Sequence, residues 1–566
     1  MDNKFIIELE FAKQFFTFEK PLKIISSYTF SDIETCLAEI EIYKKLGKYI
    51  AGFFSYEHGY FFEPSFYEKF QSVNFKFPLL YFGVYETYSS KPLNNEDSNN
   101  FSIKDLTQSI DFAEYEKSFL HIKEKIKLGE TYQVNFTFSN HFNFSGSAYS
   151  FYQELKRNQI GNYSGFLETD SLKIISASPE LFFEIKNSSI QCKPMKGTLE
   201  KGDFQIDPKI KSENHIIVDL IRNDLGKISK LGTVQVNSLL ELEKYDTLNQ
   251  ITSTIGSELK EDLTVLELLR ALIPAGSITG APKKRTMEII LEEEADFREI
   301  YTGGIGFFSK HHSVFSIPIR TVQLENGMGT LGIGSGIIFD SDAKKEWEES
   351  NLKMRFFLKS IPISIFESIL FKNKKIYFLI EHIARLKKSA LYFGFRWNEE
   401  ELKNHLAKIS LEESFDSKLK LSLNRKNEFS IQSVPLGKKF HTIQEMKIAE
   451  TKTNSKDIFY YHKTSLRDIY DAYREKAVAE KCFEYIFFNE KDELTEGSIS
   501  NIFILIDKVY YTPSVESGIL AGVYRNKLLK RNGFKERKLY ISDLENAKEI
   551  FLCNSVRGIV RVRLNK

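Results

Sequence analysis

Cysteine is scarce and scattered. Its four occurrences, Cys36, Cys192, Cys482 and Cys553, form no CxxC pair, which argues against a disulfide framework and against a zinc cluster. Charge of one sign is also missing. The 78 basic residues against 77 acidic ones leave a formal net charge of +1, so neither nucleic acid nor an anionic membrane is expected as a partner. No apolar run reaches the length of a membrane span. The first residues, MDNKFIIELEF, are mixed and acidic rather than basic and then apolar, as a leader would be. A soluble cytoplasmic protein is the expectation. At 566 residues the chain is long enough for about three or four domain-sized units. Its richness in Phe, Ile, Lys and Asn is compositional bias without functional meaning.

What is present centres on Ile174–Glu200, IISASPELFFEIKNSSIQCKPMKGTLE. Two strand-like segments flank a loop at Asn187–Ser189. One carries Ser178-Pro179-Glu180 and the other Pro194-Met195-Lys196-Gly197-Thr198. If they pair as a hairpin, Glu180 and Lys196 share a cleft. A partly desolvated lysine attacks as a nucleophile while a carboxyl protonates a leaving hydroxyl. Spacing alone favours a surface ion pair.

SASPELFF and PMKGT resemble the core of the chorismate-utilising enzymes, and further motifs follow in that family's order. Gly52–Glu57, GFFSYE, resembles a segment near the start of aminodeoxychorismate synthases. A helix is expected over Ala113–Leu128, then a strand from GETYQVNFTF, in which Gln133 stands where water-using members have lysine and ammonia-using members glutamine. Glu213, in SENHIIVDLIRNDLG, aligns with a magnesium-binding glutamate, and magnesium accepts a few carboxylates plus waters. Ile210 replaces an acidic residue of many relatives. Glu346 and Glu349, in KKEWEESN, lie three apart, hence on one helical face. The resemblance makes them metal candidates, whereas by themselves they read as solvated decoration.

PAGSITGAPK contributes Gly276, Ser277, Thr279 and Gly280. Small residues there lead into a helix whose first turn holds Pro282 and whose free amides suit a carboxylate. Tyr301 and Arg320 resemble the residues that hold chorismate's pyruvyl carboxylate, for which the planar arginine fork is apt. Gly334 and Gly336 allow close backbone approach to the ligand, and Gly197 and Thr198 complete the substrate set. In this family the residue before that Gly-Thr is Ala in anthranilate synthases and Lys in many aminodeoxychorismate synthases. Here it is Lys196. Gln250 stands where anthranilate synthases have a histidine, which leans the same way.

After Lys359-Ser360-Ile361-Pro362 a second set of motifs begins: FLIEHIARLKKSA, YYHKTSLRD, ELTEGSISNIF, TPSVESGILAGVYR and FLCNSVRG. Together they resemble the fold-type IV pyridoxal-phosphate enzymes, although each short match alone recurs by chance. The resemblance makes Lys463 the Schiff-base lysine, Arg385 the phosphate partner and Glu496 the partner of the pyridine nitrogen. Gly522, Val523, Asn554 and Ser555 would serve the phosphate, and Arg557 a substrate carboxylate. Free-standing relatives begin with an extra strand and turn that ISIFESILF leaves out.

The expected fold is α/β (α+β). A two-lobed β-sandwich core with helices comprises an N-terminal part, residues 1–110, and a catalytic core, residues 111–358. A two-subdomain fold-type IV domain follows, small over residues 359–436 and large over residues 437–566. The resemblances imply two consecutive steps: chorismate and ammonia to 4-amino-4-deoxychorismate, then pyruvate elimination to p-aminobenzoate, a folate precursor. Magnesium and pyridoxal 5'-phosphate are the implied cofactors. No cysteine has the setting of a class I glutamine amidotransferase, so ammonia comes from a separate amidotransferase subunit or from solution. A homodimer through the C-terminal domain is a further expectation. The alternative is anthranilate synthase component I fused to a fold-type IV aminotransferase. A scaffold protein with dead sites is disfavoured because Lys196, Glu213, Lys463 and Glu496 are all retained.

Overall fold

The computed structural model describes residues 4–94, 101–158, 162–200, 208–244, 248–361, 363–412, 415–437 and 442–565. The polar stretch Asn94–Asn100, NNEDSNN, falls almost wholly outside them. Two compact units emerge: Met1–Ser102 with Ser109–Ser360, and Ile361–Lys566 with Ile103–Gln108. The main boundary between them falls after Ser360. Among the described residues no helix is long and apolar enough to cross a membrane.

The first unit is built on two sheets. One runs in the order Gly280–Ala281, Gln133–Gly146, Met328–Ile338, Thr321–Glu325, Leu172–Ser178, Tyr163–Thr169, Phe5–Phe11, Gln14–Phe18. The other runs Met195–Glu200, Leu248–Glu258, Ser189–Lys193, Leu181–Lys186, His312–Ser316, Gly304–Phe308, Tyr49–Phe54, Leu80–Tyr85, Lys23–Ser27, with Gln235–Lys244 beside Leu248–Glu258. Phe5, Ile7 and Leu9 of the first pack with Ala51, Phe53, Ile305 and Phe307 of the second, a face-to-face sandwich that removes apolar area from water. Helices cover the second sheet's other face. Helix Ile33–Lys45 buries Ile33, Leu37 and Ile40, a stripe at helical spacing, against Val265, Leu268 and Leu269 of helix Val265–Leu272. Helix Phe112–Lys127 starts on a capping box between Asp111 and Glu114, and buries Tyr115, Phe119, Ile122 and Ile126.

The chain passes between the sheets at two adjacent places. Leu172–Ser178 lies in the first sheet and Leu181–Lys186 in the second, so Ser178-Pro179-Glu180 is a crossover. Their partners cross too: Thr321 pairs with Ser176, and Ser316 with Leu181. Hydrogen bonds stitch the crossovers together. Ile317 N donates to Glu180 O at 3.1 Å, Ala177 N to Arg320 O at 3.2 Å, and Ser178 Oγ to Ile317 O at 2.5 Å. The expected hairpin is present, with Lys186 opposite Ser189 and Leu181 opposite Lys193.

The second unit has a small antiparallel sheet, Lys375–Ile376, Ile365–Lys372, Ser417–Leu423, Phe429–Pro435, and an eight-stranded mixed sheet within Gln444–Leu564. Alternation decides which side each residue serves. Ile486 and Phe488 join the core with Ile502, Ile504 and Leu552, while Tyr485 and Phe487 pack on Tyr470 and Ala477 of helix Asp468–Ala479.

Candidate functional site

In the first unit a row of alternate glycines on Met328–Ile338 carries the site. A Cβ at Gly332 would lie 2.4 Å from the Tyr301 ring, and one at Gly334 would lie 2.3 Å from Phe136 O. One at Gly336 would lie 3.0 Å from Gln133 Nε2 and 3.5 Å from Glu213 Oε2. Tyr301, Gln133 and Glu213 thus gather over one glycine-lined face, a close approach that side chains would forbid. Gln133 is fully buried, and neither its Oε1 nor its Nε2 has a partner among the described residues. Such a group costs about 1–3 kcal/mol until something hydrogen-bonds to it.

Arg320, at the second crossover, has φ of 53°, a left-handed conformation that non-glycine residues hold at a cost of about 1–3 kcal/mol. Its Nη1 is buried without a partner among the described residues. Burial pulls the guanidinium down to about 10, with the neighbouring Tyr301 opposing. Burial likewise pushes the Tyr301 phenol up. A strained cation with an unpartnered buried nitrogen beside a buried phenol has the chemistry to receive an anion. Glu180, 3% exposed, lines a small cavity with Pro194, Asp224, Gly276 and Ser277. Lys196, Gly197 and Thr198 belong to strand Met195–Glu200, where Thr198 faces Gln250, but their side chains lie outside the described residues.

Sequence reading missed what holds these groups. Arg298 donates to Asn135 O at 2.6 Å, to Ile278 O at 2.9 Å and to both Glu294 oxygens at 2.6 and 2.8 Å. It ties the strand of Gln133 to the Gly276–Gly280 loop. The Glu57 carboxylate accepts from the N–H groups of Arg298 and Glu299 at 2.7 and 3.0 Å, and burial raises it to about 8 against the backbone bonds from its own N–H and that of Arg298. Two motifs meet in a buried ion pair, Lys283 Nζ to Asp224 at 2.6 Å. Thr279 O accepts from Asn135 N at 2.9 Å, and Gly280, at φ +140°, sits so near Gln133 O that a Cβ would lie 1.9 Å from it. Pro282 is not inside the first turn as expected. It precedes helix Lys283–Glu293 in extended conformation, φ −68° and ψ 138°.

Glu346 and Glu349 do share helix Ala343–Lys353 but differ in surroundings. Glu346 is 3% exposed, whereas Glu349 pairs with Lys353 at 2.9 Å, and Lys353 also donates to Gly334 O at 2.9 Å. Residues three apart on a helix stand 60° apart around its axis, and the edge of the packed face falls between them. Among the described residues no group of three His, Cys, Asp or Glu is arranged to hold a metal ion.

In the second unit one cavity of about 220 Å³ is lined by Arg385, Lys463, Glu496, Gly522, Val523, Asn554, Ser555 and Arg557 together. Lys463 O accepts from Phe366 N at 3.0 Å, and its Nζ lies 4.9 Å from the Phe366 ring centre. Burial, then the charges of Arg467 and Arg385, lower its amine to about 7, with Glu367 and Glu496 opposing. Burial raises Glu496 to about 7 against a bond from Leu520 N at 3.1 Å and the Lys463 charge. Tyr470 and Asn501 also donate to its carboxylate, at 3.2 and 2.9 Å. Arg385 is gripped by Glu367, a residue the motifs did not name. Its Nε and Nη2 donate to the two Glu367 oxygens at 2.8 and 2.6 Å, and His382 Nδ1 adds a bond at 2.7 Å. Although burial raises Glu367, the Arg385 charge and these bonds hold it at about 2. Asn554 Oδ1 accepts from the N–H groups of Val556 and Arg557 at 3.1 and 2.8 Å, which orders that turn.

Residues 6–359 match the family of chorismate binding enzymes and residues 364–564 match amino-transferase class IV. Aminodeoxychorismate synthase component 1 of Bacillus subtilis is 35% identical over 255 residues, 43% of this chain and 54% of that protein. Anthranilate synthase component 1 of Lactococcus lactis is 34% identical over 257 residues, 43% of this chain and 56% of its own length. The chain thus spans about half the length of the curated relatives it matches. A solved Bacillus anthracis structure described as a 2,3-dihydroxybenzoate-specific isochorismate synthase shares the fold at TM-score 0.52 and 20% identity, covering 62% of this chain and 95% of that one.

Proposed function

The chain belongs to the chorismate binding enzyme family and carries a class IV amino-transferase domain, and on that premise we propose that it makes p-aminobenzoate from chorismate and ammonia in two steps. The observation that carries this reading is the chain order. A chorismate domain whose strand Met195–Glu200 includes Lys196 is followed by a cavity that joins a lysine near neutrality to a buried acid. The first half would make an amine and the second would consume it. Relatives of both the aminodeoxychorismate and the anthranilate kind match equally well, so the proposal leans on Lys196 and, more weakly, on Gln250.

In the first step Arg320 and Tyr301 would hold the pyruvyl carboxylate, and the Gly276–Gly280 segment the ring carboxylate. Lys196 would attack C2 as Glu180 protonates the departing C4 hydroxyl. Ammonia, oriented by Gln133, would then add at C4 and expel the lysine. Hard carboxylate oxygens fit magnesium, which keeps waters and needs only one or two of them. Glu213 over Gly336 and the buried Glu346 would hold it near the ring carboxylate, with Glu349 joining by exchange of Lys353. Ammonia would come from a separate glutamine amidotransferase subunit.

In the second step the donor set fits pyridoxal phosphate: an amine for its aldehyde, the charge of Arg385 with Gly522, Val523, Asn554 and Ser555 for its phosphate, and Glu496 for its ring nitrogen. Bound there, the cofactor would supply an electron sink for charge developing beside the substrate amine. Lys463, whose amine burial lowers to about 7, would take the C4 ring proton, Arg557 would hold a carboxylate, and pyruvate would leave as the ring becomes aromatic. Two copies would associate through this second unit. Incubation with chorismate, ammonium, magnesium and pyridoxal phosphate, followed by chromatography, tests the reading. p-Aminobenzoate is expected, and anthranilate as the product would overturn it.

A further inference from the structure

Arg467 belongs to the YYHKTSLRD motif, yet the mechanism gives it no task. It lies four residues after Lys463, caps helix Asp468–Ala479 and lines the same cavity. Its side chain is held on two sides. Nε donates to Asp471 Oδ1 at 2.8 Å, and Nη2 donates to Ser498 O at 2.5 Å. The third nitrogen, Nη1, has no partner among the described residues. An arginine fixed by two bonds with one edge left open is pre-organised to receive an anion, because little side-chain freedom remains to be lost.

The cavity has a use for such an edge. The Arg385 Nε and Nη2 are committed to Glu367, and its Nη1 donates to Ala521 O at 3.2 Å. Arg557, on the same cavity wall, is the arginine proposed above for one substrate carboxylate. The amine proposed above carries two, one on the ring and one on the enolpyruvyl group. We propose that Arg467 is a specificity-determining residue of this cavity, its Nη1 edge taking the second carboxylate of a dicarboxylated cyclohexadienyl amine while Arg557 takes the first. This rests on the lyase reading of the second unit.

The same contact has an electrostatic consequence. The charged groups that act on the Lys463 amine are Arg467 and Arg385, which lower its proton affinity, and Glu367 and Glu496, which raise it, with Arg467 the foremost of the four. A carboxylate seated on Arg467 offsets that foremost charge. The amine then binds a proton more readily just when the substrate is in place to give one up.

The test uses the full chain loaded with pyridoxal phosphate and purified 4-amino-4-deoxychorismate, alongside the cofactor-free protein. Arg467→Gln should raise KM roughly 10- to 100-fold, the worth of a hydrogen bond between charged groups, with kcat changing less. In the cofactor-free protein, the pH midpoint for acylation of Lys463, read by peptide mass spectrometry, should move upward from about 7. Arg467→Lys keeps the charge but lacks the fork, so the midpoint should return while KM stays raised. An unchanged KM in both variants, or an unmoved midpoint in Arg467→Gln, overturns the proposal. Should Arg467→Gln not fold, Arg467→Lys decides, and an unchanged KM refutes the anchor. If the wild type binds the cofactor but does not convert this substrate, the lyase reading itself fails, and the acylation midpoint still reports on Arg467 separately.

Discussion

Replacing Glu367 by glutamine should loosen the second unit and its phosphate-binding arginine at the same time. The carboxylate is 1% exposed and accepts from His382 and twice from Arg385. Held at about 2 against an ordinary 4.5, it contributes about 3 kcal/mol of stability at neutral pH. Leaving the Arg385 charge buried without its counter-charge gives a similar figure, about 3–5 kcal/mol. For a unit of roughly 200 residues each kcal/mol moves Tm by about 2–4 °C, so the melting of this unit should fall by roughly 6–12 °C. The sign with pH is fixed. A depressed carboxylate stabilises above its unfolded value and loses that contribution as pH falls from about 4.5 toward 2. The gap between wild type and Glu367→Gln should therefore be full at pH 7 and should close on acidification. Melting of the cofactor-free proteins by circular dichroism measures it, and pyridoxal phosphate affinity, by equilibrium dialysis, should fall in parallel. A Tm at pH 7 within 2 °C of wild type would refute the reasoning, as would a gap that persists unchanged at low pH.

Lys196→Ala should abolish amination at C4 and let any residual product drift toward anthranilate; full retention of aminodeoxychorismate formation, followed by chromatography, sinks the nucleophile role. Glu213→Gln should weaken magnesium activation of the first step by at least about tenfold and leave conversion of added aminodeoxychorismate intact, so an unchanged magnesium titration counts against the ligand assignment. Lys463→Ala should accumulate aminodeoxychorismate, form no p-aminobenzoate and lose the near-ultraviolet to visible absorbance of the bound cofactor. Wild-type p-aminobenzoate production by that variant would show that the second unit is not a pyridoxal-phosphate lyase.

The residues legible in the sequence are those whose chemistry is local to a motif. Gln133, Tyr301 and the Gly334–Gly336 strand come from three separate stretches, yet Met328–Ile338 gathers Gln133 and Tyr301 over its glycines, with Arg320 close enough to Tyr301 to act on it. Arg385, Lys463, Glu496 and Arg557 likewise converge on one cavity. The partners that hold them were not legible, because a buried charge takes its counter-charge from whatever the fold brings near. Glu367 and Arg385 are 18 residues apart, on a strand and a helix, and no spacing rule links them. Arg298 bonds to a strand carbonyl 163 residues earlier. Glu346 and Glu349 show the limit of periodicity within a single helix. Spacing places two residues on one face, but where the packed edge of that face runs depends on what covers it. Arg467 is the opposite case: a motif residue seen from the start, whose open Nη1 edge shows only once Asp471 and Ser498 are seen to hold the rest of its guanidinium.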